Sequence, residues 1–138
     1  MTMNRVTLIT LGVTDIKRAC AYYEAIGWVA ENVMEDVAFY DMGGAKFGFF
    51  KRDMLAAEQG RPEADLGTGA MTLAQNFPSE AEVDAQFARA LAAGATQVTK
   101  PVKTAWGGYS GYVADPDGHI WEFAHNPFWE LDEEGRIK

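Results

Sequence analysis

Residues 6–28, VTLITLGVTDIKRACAYYEAIGW, decide the fold, because they change hydrophobic period once, at a recognisable boundary. Val6 to Val13 is short and rich in β-branched and aliphatic residues, which reads as a buried strand. Asp15 then offers a helix N-cap, and Ile16, Ala19, Cys20, Tyr23 and Ile26 follow at helical spacing. Gly27 is placed to end that helix. From Trp28 the pattern becomes extended runs, at Trp28 to Met34, Val37 to Met42 and Ala45 to Lys51, broken by Glu35-Asp36 and Gly43-Gly44.

Further along, the same order returns. Ala70 to Phe77 reads as a strand, Ser79 and Glu82 as a capping box, and Val83, Phe87, Ala90 and Leu91 as the apolar stripe of a helix stopped by Gly94. Extended runs follow at Thr96 to Val102, Tyr109 to Ala114 and His119 to Ala124, the last two joined by the Asp115-Pro116-Asp117-Gly118 turn. Strand, helix and three strands thus occur twice, in modules of about 5–51 and 69–125. Residues 52–68 are a polar connector with a helix-compatible stretch at Met54 to Glu58, and 126–138 form a tail. The expected fold is α+β: two βαβββ modules within one domain, forming a cupped mixed sheet with helices on the outer face. A cupped surface is where small molecules bind.

Composition narrows the function classes. A chain of 138 residues with 48% hydrophobic and 23% charged residues can bury its own core and is not built like a disordered or fibrous protein. The net charge of -8, with no basic stripe, argues against nucleic acid or an anionic membrane as partner, since phosphate binding needs local positive charge. Cys20 is the single cysteine, which rules out an intrachain disulfide and fits a reducing compartment; on an apolar helix face it reads as packing. No signal-like leader and no run approaching a membrane span is apparent, so a cytoplasmic location is expected.

The segments 6–28, TLAQNFPSEAEVDAQFARALAAGATQV (72–98) and GGYSGYVADPDGHIWEFAHNP (107–127) resemble both modules of the vicinal oxygen chelate superfamily of glyoxalases, bleomycin-resistance proteins and extradiol dioxygenases. The resemblance is to its glyoxalase-related members and covers roughly residues 5 to 127. It implies the paired-module fold, a homodimer, and, in metal-using members, one His, Glu or Gln ligand from the first and last strand of each half. By count from Val13 and Asp15, Gly44, Phe77 and Gly118, those positions fall on Leu8, Gly48, Thr72 and Glu122. Only Glu122 is a good ligand, and a one-residue shift to Thr7, Ile9, Met71 or Leu73 restores nothing. A divalent metal is therefore disfavoured, and with it metal-dependent isomerisation and ring cleavage.

Without a metal, Glu122 is the candidate catalytic residue, as general acid or base. Strand alternation places Ile120 and Ala124 on its face, with Trp121 and Phe123 behind. The competing reading is that Glu122 bonds a neighbouring side chain and does no chemistry. Thr72, Asn76 and Lys46 are the candidate polar ligand contacts, and Tyr40, Phe50, Trp106 and Tyr109 the aromatic ones, each of which is also an ordinary core candidate. Trp106-Gly107-Gly108-Tyr109-Ser110-Gly111 lacks the strand-to-helix setting of a phosphate loop. His119 and His125, with no HExxH pattern, disfavour a zinc hydrolase and read as rim residues.

The functional expectation is a small-molecule protein that binds or transforms an organic compound. Sequestration of the bleomycin-resistance kind and a metal-dependent lyase or dioxygenase with atypical ligands are the alternatives. The tail, with Trp129, Leu131 and Ile137, is expected to cover the cup, a partner subunit or its own domain.

Overall fold

The computed structural model describes residues 3–138 and divides into two compact units, one ending at Gly67 and the other beginning at Thr68. Strand β1 (Leu8–Val13) leads into helix α1 (Ile16–Ala25), followed by β2 (Asn32–Val33), β3 (Val37–Asp41) and β4 (Lys46–Lys51). The sheet order is β1-β4-β3-β2, with β1 and β4 parallel and the other pairs antiparallel. Helix α2 (Arg52–Gln59) and a short 3-10 turn complete this unit. The second unit repeats the plan: β5 (Thr72–Asn76), α3 (Glu80–Ala93), β6 (Thr96–Lys103), β7 (Tyr109–Ala114) and β8 (Ile120–His125), in the order β5-β8-β7-β6, with β5 and β8 parallel. The fold is α+β, two four-stranded mixed sheets with three helices.

Local chemistry sets the helix ends. The Asp15 carboxylate accepts from the Arg18 amide at 3.1 Å, supplying a partner that the first helical turn lacks. The Ser79 hydroxyl accepts from the Glu82 amide at 3.2 Å and donates to its carboxylate at 3.0 Å. Gly94 takes the left-handed conformation that stops α3 at its expected point. The connector is more helical than its polar composition suggests: α2 runs from Arg52 to Gln59, and the Arg52 guanidinium donates to the Leu66 carbonyl, tying the end of the connector back to its start.

Each sheet has one face closed by its helix. In the first unit Leu11, Val13, Tyr40, Phe47 and Phe49 face α1, where Tyr23 and Trp28 interlock with them edge to face and at tilted angles. In the second, Val113, Trp121 and Phe123 pack beneath Val83, Phe87 and Ala90 of α3. The extended run at Trp28 to Met34 shrinks to a two-residue strand because Trp28 leaves the sheet to fill this core, 5.0 Å from Phe47 and 5.8 Å from Tyr40. Among the described residues, no helix is long and apolar enough to cross a membrane.

Candidate functional site

Pairing register, combined with strand alternation, assigns every candidate to a face. In the second sheet Thr72 pairs with Ile120, Ala74 with Glu122 and Asn76 with Ala124, while Tyr112 of β7 lies opposite Glu122 on its other side. Glu122, Thr72, Asn76 and Tyr112 therefore share the face away from α3, opposite the buried Trp121 and Phe123. Glu122 is half-buried there, with Tyr112 as its cross-strand neighbour. Burial first, then the Glu122 charge and hydrogen bonding toward it, push the Tyr112 phenol above its ordinary pKa. Tyr112 is thus a protonated phenol beside the carboxylate, and sequence reasoning missed it.

In the first unit, Leu8, Gly48, Lys46 and Phe50 share the open face with Phe39. The Gly48 position is closed over: a Cβ there would stand 2.8 Å from the Ala38 carbonyl and 3.2 Å from the Phe39 ring. The far end of the same face is closed by α2, whose Leu55 would meet a Gly12 Cβ at 3.2 Å. Beside Leu8 and Phe39 remains a mainly apolar hollow of about 290 Å³, with Asp41 and Lys46 at its edge. Lys46 is exposed and forms an ion pair with Glu31 at 2.5 Å.

Three of the aromatic candidates stand elsewhere than expected. Tyr40 is on the helix-covered face of its sheet and is essentially buried, because Ala38 and Tyr40, not Phe39, carry the inward parity of β3. Tyr109 is likewise on the helix side, where its hydroxyl donates to Asp84 of α3 at 2.7 Å. Trp106 sits in the tight turn between β6 and β7, its ring folded onto Gly108 so closely that a Cβ there would fall 1.9 Å away. Phe50 keeps an open-face position, half-buried. His125 lies on the helix side of β8, with Nδ1 2.9 Å from the Phe77 carbonyl, and His119 is held by the turn through its backbone contacts to Asp115.

The donor set can be read against a metal. Of the four positions that the resemblance assigns to metal ligands by count, Leu8 and Gly48 carry no donor atom, and Thr72 offers a neutral hydroxyl. Glu122 supplies one carboxylate. Among the described residues no three His, Cys, Asp or Glu side chains converge. These residues do not fit a tightly held divalent ion, which needs three or four anionic or imidazole ligands.

Comparison with known proteins places this geometry. The family model described as Glyoxalase/Bleomycin resistance protein/Dioxygenase superfamily matches residues 4–123. A glyoxalase-related enzyme from Fulvimarina pelagi superposes with a TM-score of 0.90 at 34% identity, covering 99% of this chain and 98% of that one. A glyoxalase/bleomycin resistance protein/dioxygenase family enzyme from Burkholderia phytofirmans shares the fold, with a TM-score of 0.77 at 20% identity over 86% of this chain and 96% of that one. An uncharacterized protein of Mycobacterium bovis is 58% identical over 40 residues, 29% of this chain; the match spans about a quarter, 26%, of that relative's length.

Proposed function

Since the chain belongs to the glyoxalase/bleomycin resistance protein/dioxygenase superfamily, we propose that it binds or transforms a small organic molecule on the face of its second sheet away from α3, with Glu122 and its neighbour Tyr112 as polar anchor and without a metal at the usual positions. The observation that carries this reading is the pairing register, which sets Tyr112 directly opposite Glu122 on a face that also holds Thr72 and Asn76. A carboxylate has about four acceptor sites, and one phenol occupies a single one of them. A neighbouring phenol such as Tyr112 therefore leaves Glu122 acceptors for a ligand N–H or O–H. This is also the chemistry of a general base: a half-buried carboxylate within reach of a ligand's proton. Thr72 and Asn76, one pleat removed along β5, add a hydroxyl and an amide to hold the rest of the molecule.

The donor set, with two of four family positions lacking any ligand atom, supports a metal-free site. The test is calorimetry of a panel of small organic donors against the native protein and Glu122→Gln, followed by mass analysis of the recovered compound. The expected result is saturable binding that Glu122→Gln weakens by about tenfold or more, the size expected for a lost charge-assisted hydrogen bond. Unaltered recovered compound assigns a sequestering role, and a converted one a catalytic role. Equal binding by both forms removes Glu122 from the site.

A further inference from the structure

A second hollow, of about 280 Å³, opens on the opposite side of the first sheet, where the C-terminal half of α1 meets the chain leading into β2 and β3. Its lining includes Cys20 and Glu24 of α1, Trp28 and Val29 just beyond it, Val33 of β2 and Tyr40 of β3. Nothing in the proposed Glu122 site uses any of these residues, and Tyr40 lies here rather than on the open face.

The chemistry of the lining is lopsided. Trp28 presents its ring, with the buried Tyr40 ring packed edge to face behind it at a centroid distance of 5.8 Å, and Val29 and Val33 supply exposed apolar walls. Glu24 is the only charged side chain of the lining, and it stands exposed toward solvent. Burial of the Tyr40 hydroxyl first, then hydrogen bonding toward the Cys20 thiol and the charge of Glu24, hold the Tyr40 phenol far above its ordinary range. The floor is thus a neutral, un-ionised polar group and the rim a single carboxylate. A molecule that seats an apolar body between the Trp28 and valine walls while offering a positive head to Glu24 matches the lining, and the Trp28 ring face favours the same sign of charge. An anion would meet Glu24 unfavourably, and a large polar ligand would leave the walls unused.

We propose that this hollow is a second binding site, for a small organic cation with an aromatic or aliphatic body of the arylalkylammonium type. The volume, about 280 Å³, falls just below the range of drug-sized pockets, which starts at about 300 Å³, and so fits a compound with a single ring.

The experiment titrates 2-phenylethylammonium, with 2-phenylethanol and 3-phenylpropanoate as neutral and anionic comparators. Binding is followed by the Trp28 indole resonance and by the rate at which N-ethylmaleimide alkylates Cys20, the only thiol in the chain. The expected result is saturable binding of the ammonium that shifts Trp28 and slows Cys20 alkylation, with weaker binding of the alcohol and none of the carboxylate. Glu24→Gln, an exposed substitution, should weaken the ammonium about tenfold and leave the alcohol unchanged. Glu122→Gln should change neither, which separates this site from the one proposed on the second sheet. Equal affinity for ammonium and alcohol overturns the assigned ligand class. Absence of saturation, an unprotected Cys20, or binding lost in Glu122→Gln but kept in Glu24→Gln overturns the site.

Discussion

Tyr112 and Glu122 show how one residue can be plain in the sequence while its partner is not. Glu122 is flanked by Trp121 and Phe123, whose bulk fixes the buried parity of the strand and leaves the carboxylate on the other side. Tyr112 lies in YSGYVA, where aromatic and small residues occur on both parities, so only the pairing register reveals that it stands opposite Glu122. Tyr40 was illegible for a similar reason: Val37, Ala38, Phe39 and Tyr40 are all apolar or aromatic, and alternation has nothing to discriminate. Because the Glu122 charge contributes to the raised Tyr112 pKa, Glu122→Gln should lower it toward the ordinary phenol value, as spectrophotometric titration of the native protein and the variant would show. An unmoved titration would mean that the pair is not formed.

A second residue-scale prediction concerns alkali. The hydrogen bond to Asp84, with burial and the acidic neighbours adding to it, pushes the Tyr109 phenol up to about 12. A phenol whose folded pKa exceeds the unfolded value of about 10 stabilises the fold below pH 10 and loses that contribution as pH rises toward 12. Denaturation midpoints should therefore fall across that window, and less steeply in Tyr109→Phe.

Elements were more legible than single contacts, because caps and turns act through local chemistry. Asp15, Ser79 and Gly94 end their helices as their residue types predict, and the turn after β7 is organised by Asp115, whose carboxylate accepts from the Asp117 and His119 amides, each at 2.9 Å. Replacing Ser79 with Ala should cost about 1 kcal/mol in chemical denaturation, the usual worth of an N-cap. What propensity could not show was the close approach at Gly111, where a Cβ would stand 2.8 Å from the Pro101 nitrogen. β6 is irregularly paired with β7 around this point, bringing proline backbone over the glycine. Gly111→Ala should destabilise by about 1–3 kcal/mol, the cost of overpacking, whereas Gly67→Ala, with open space around it, should be nearly neutral in the same assay.

For the whole molecule, repetition carried the reading: strand, helix and three strands, twice over, give two sheets of identical order. The family model matches residues 4–123 of this plan, and two of the four positions that the resemblance assigns to metal ligands, Leu8 and Gly48, carry no donor atom. If the site is metal-free, thermal stability and ligand binding should both be insensitive to chelator. Native mass spectrometry of the purified protein and of Glu122→Gln tests this account most directly, because it weighs what each chain carries. The native chain is expected to appear without a transition metal and to take up an organic donor that Glu122→Gln binds about tenfold or more weakly. One metal ion per native chain, lost on substitution of Glu122, would contradict it.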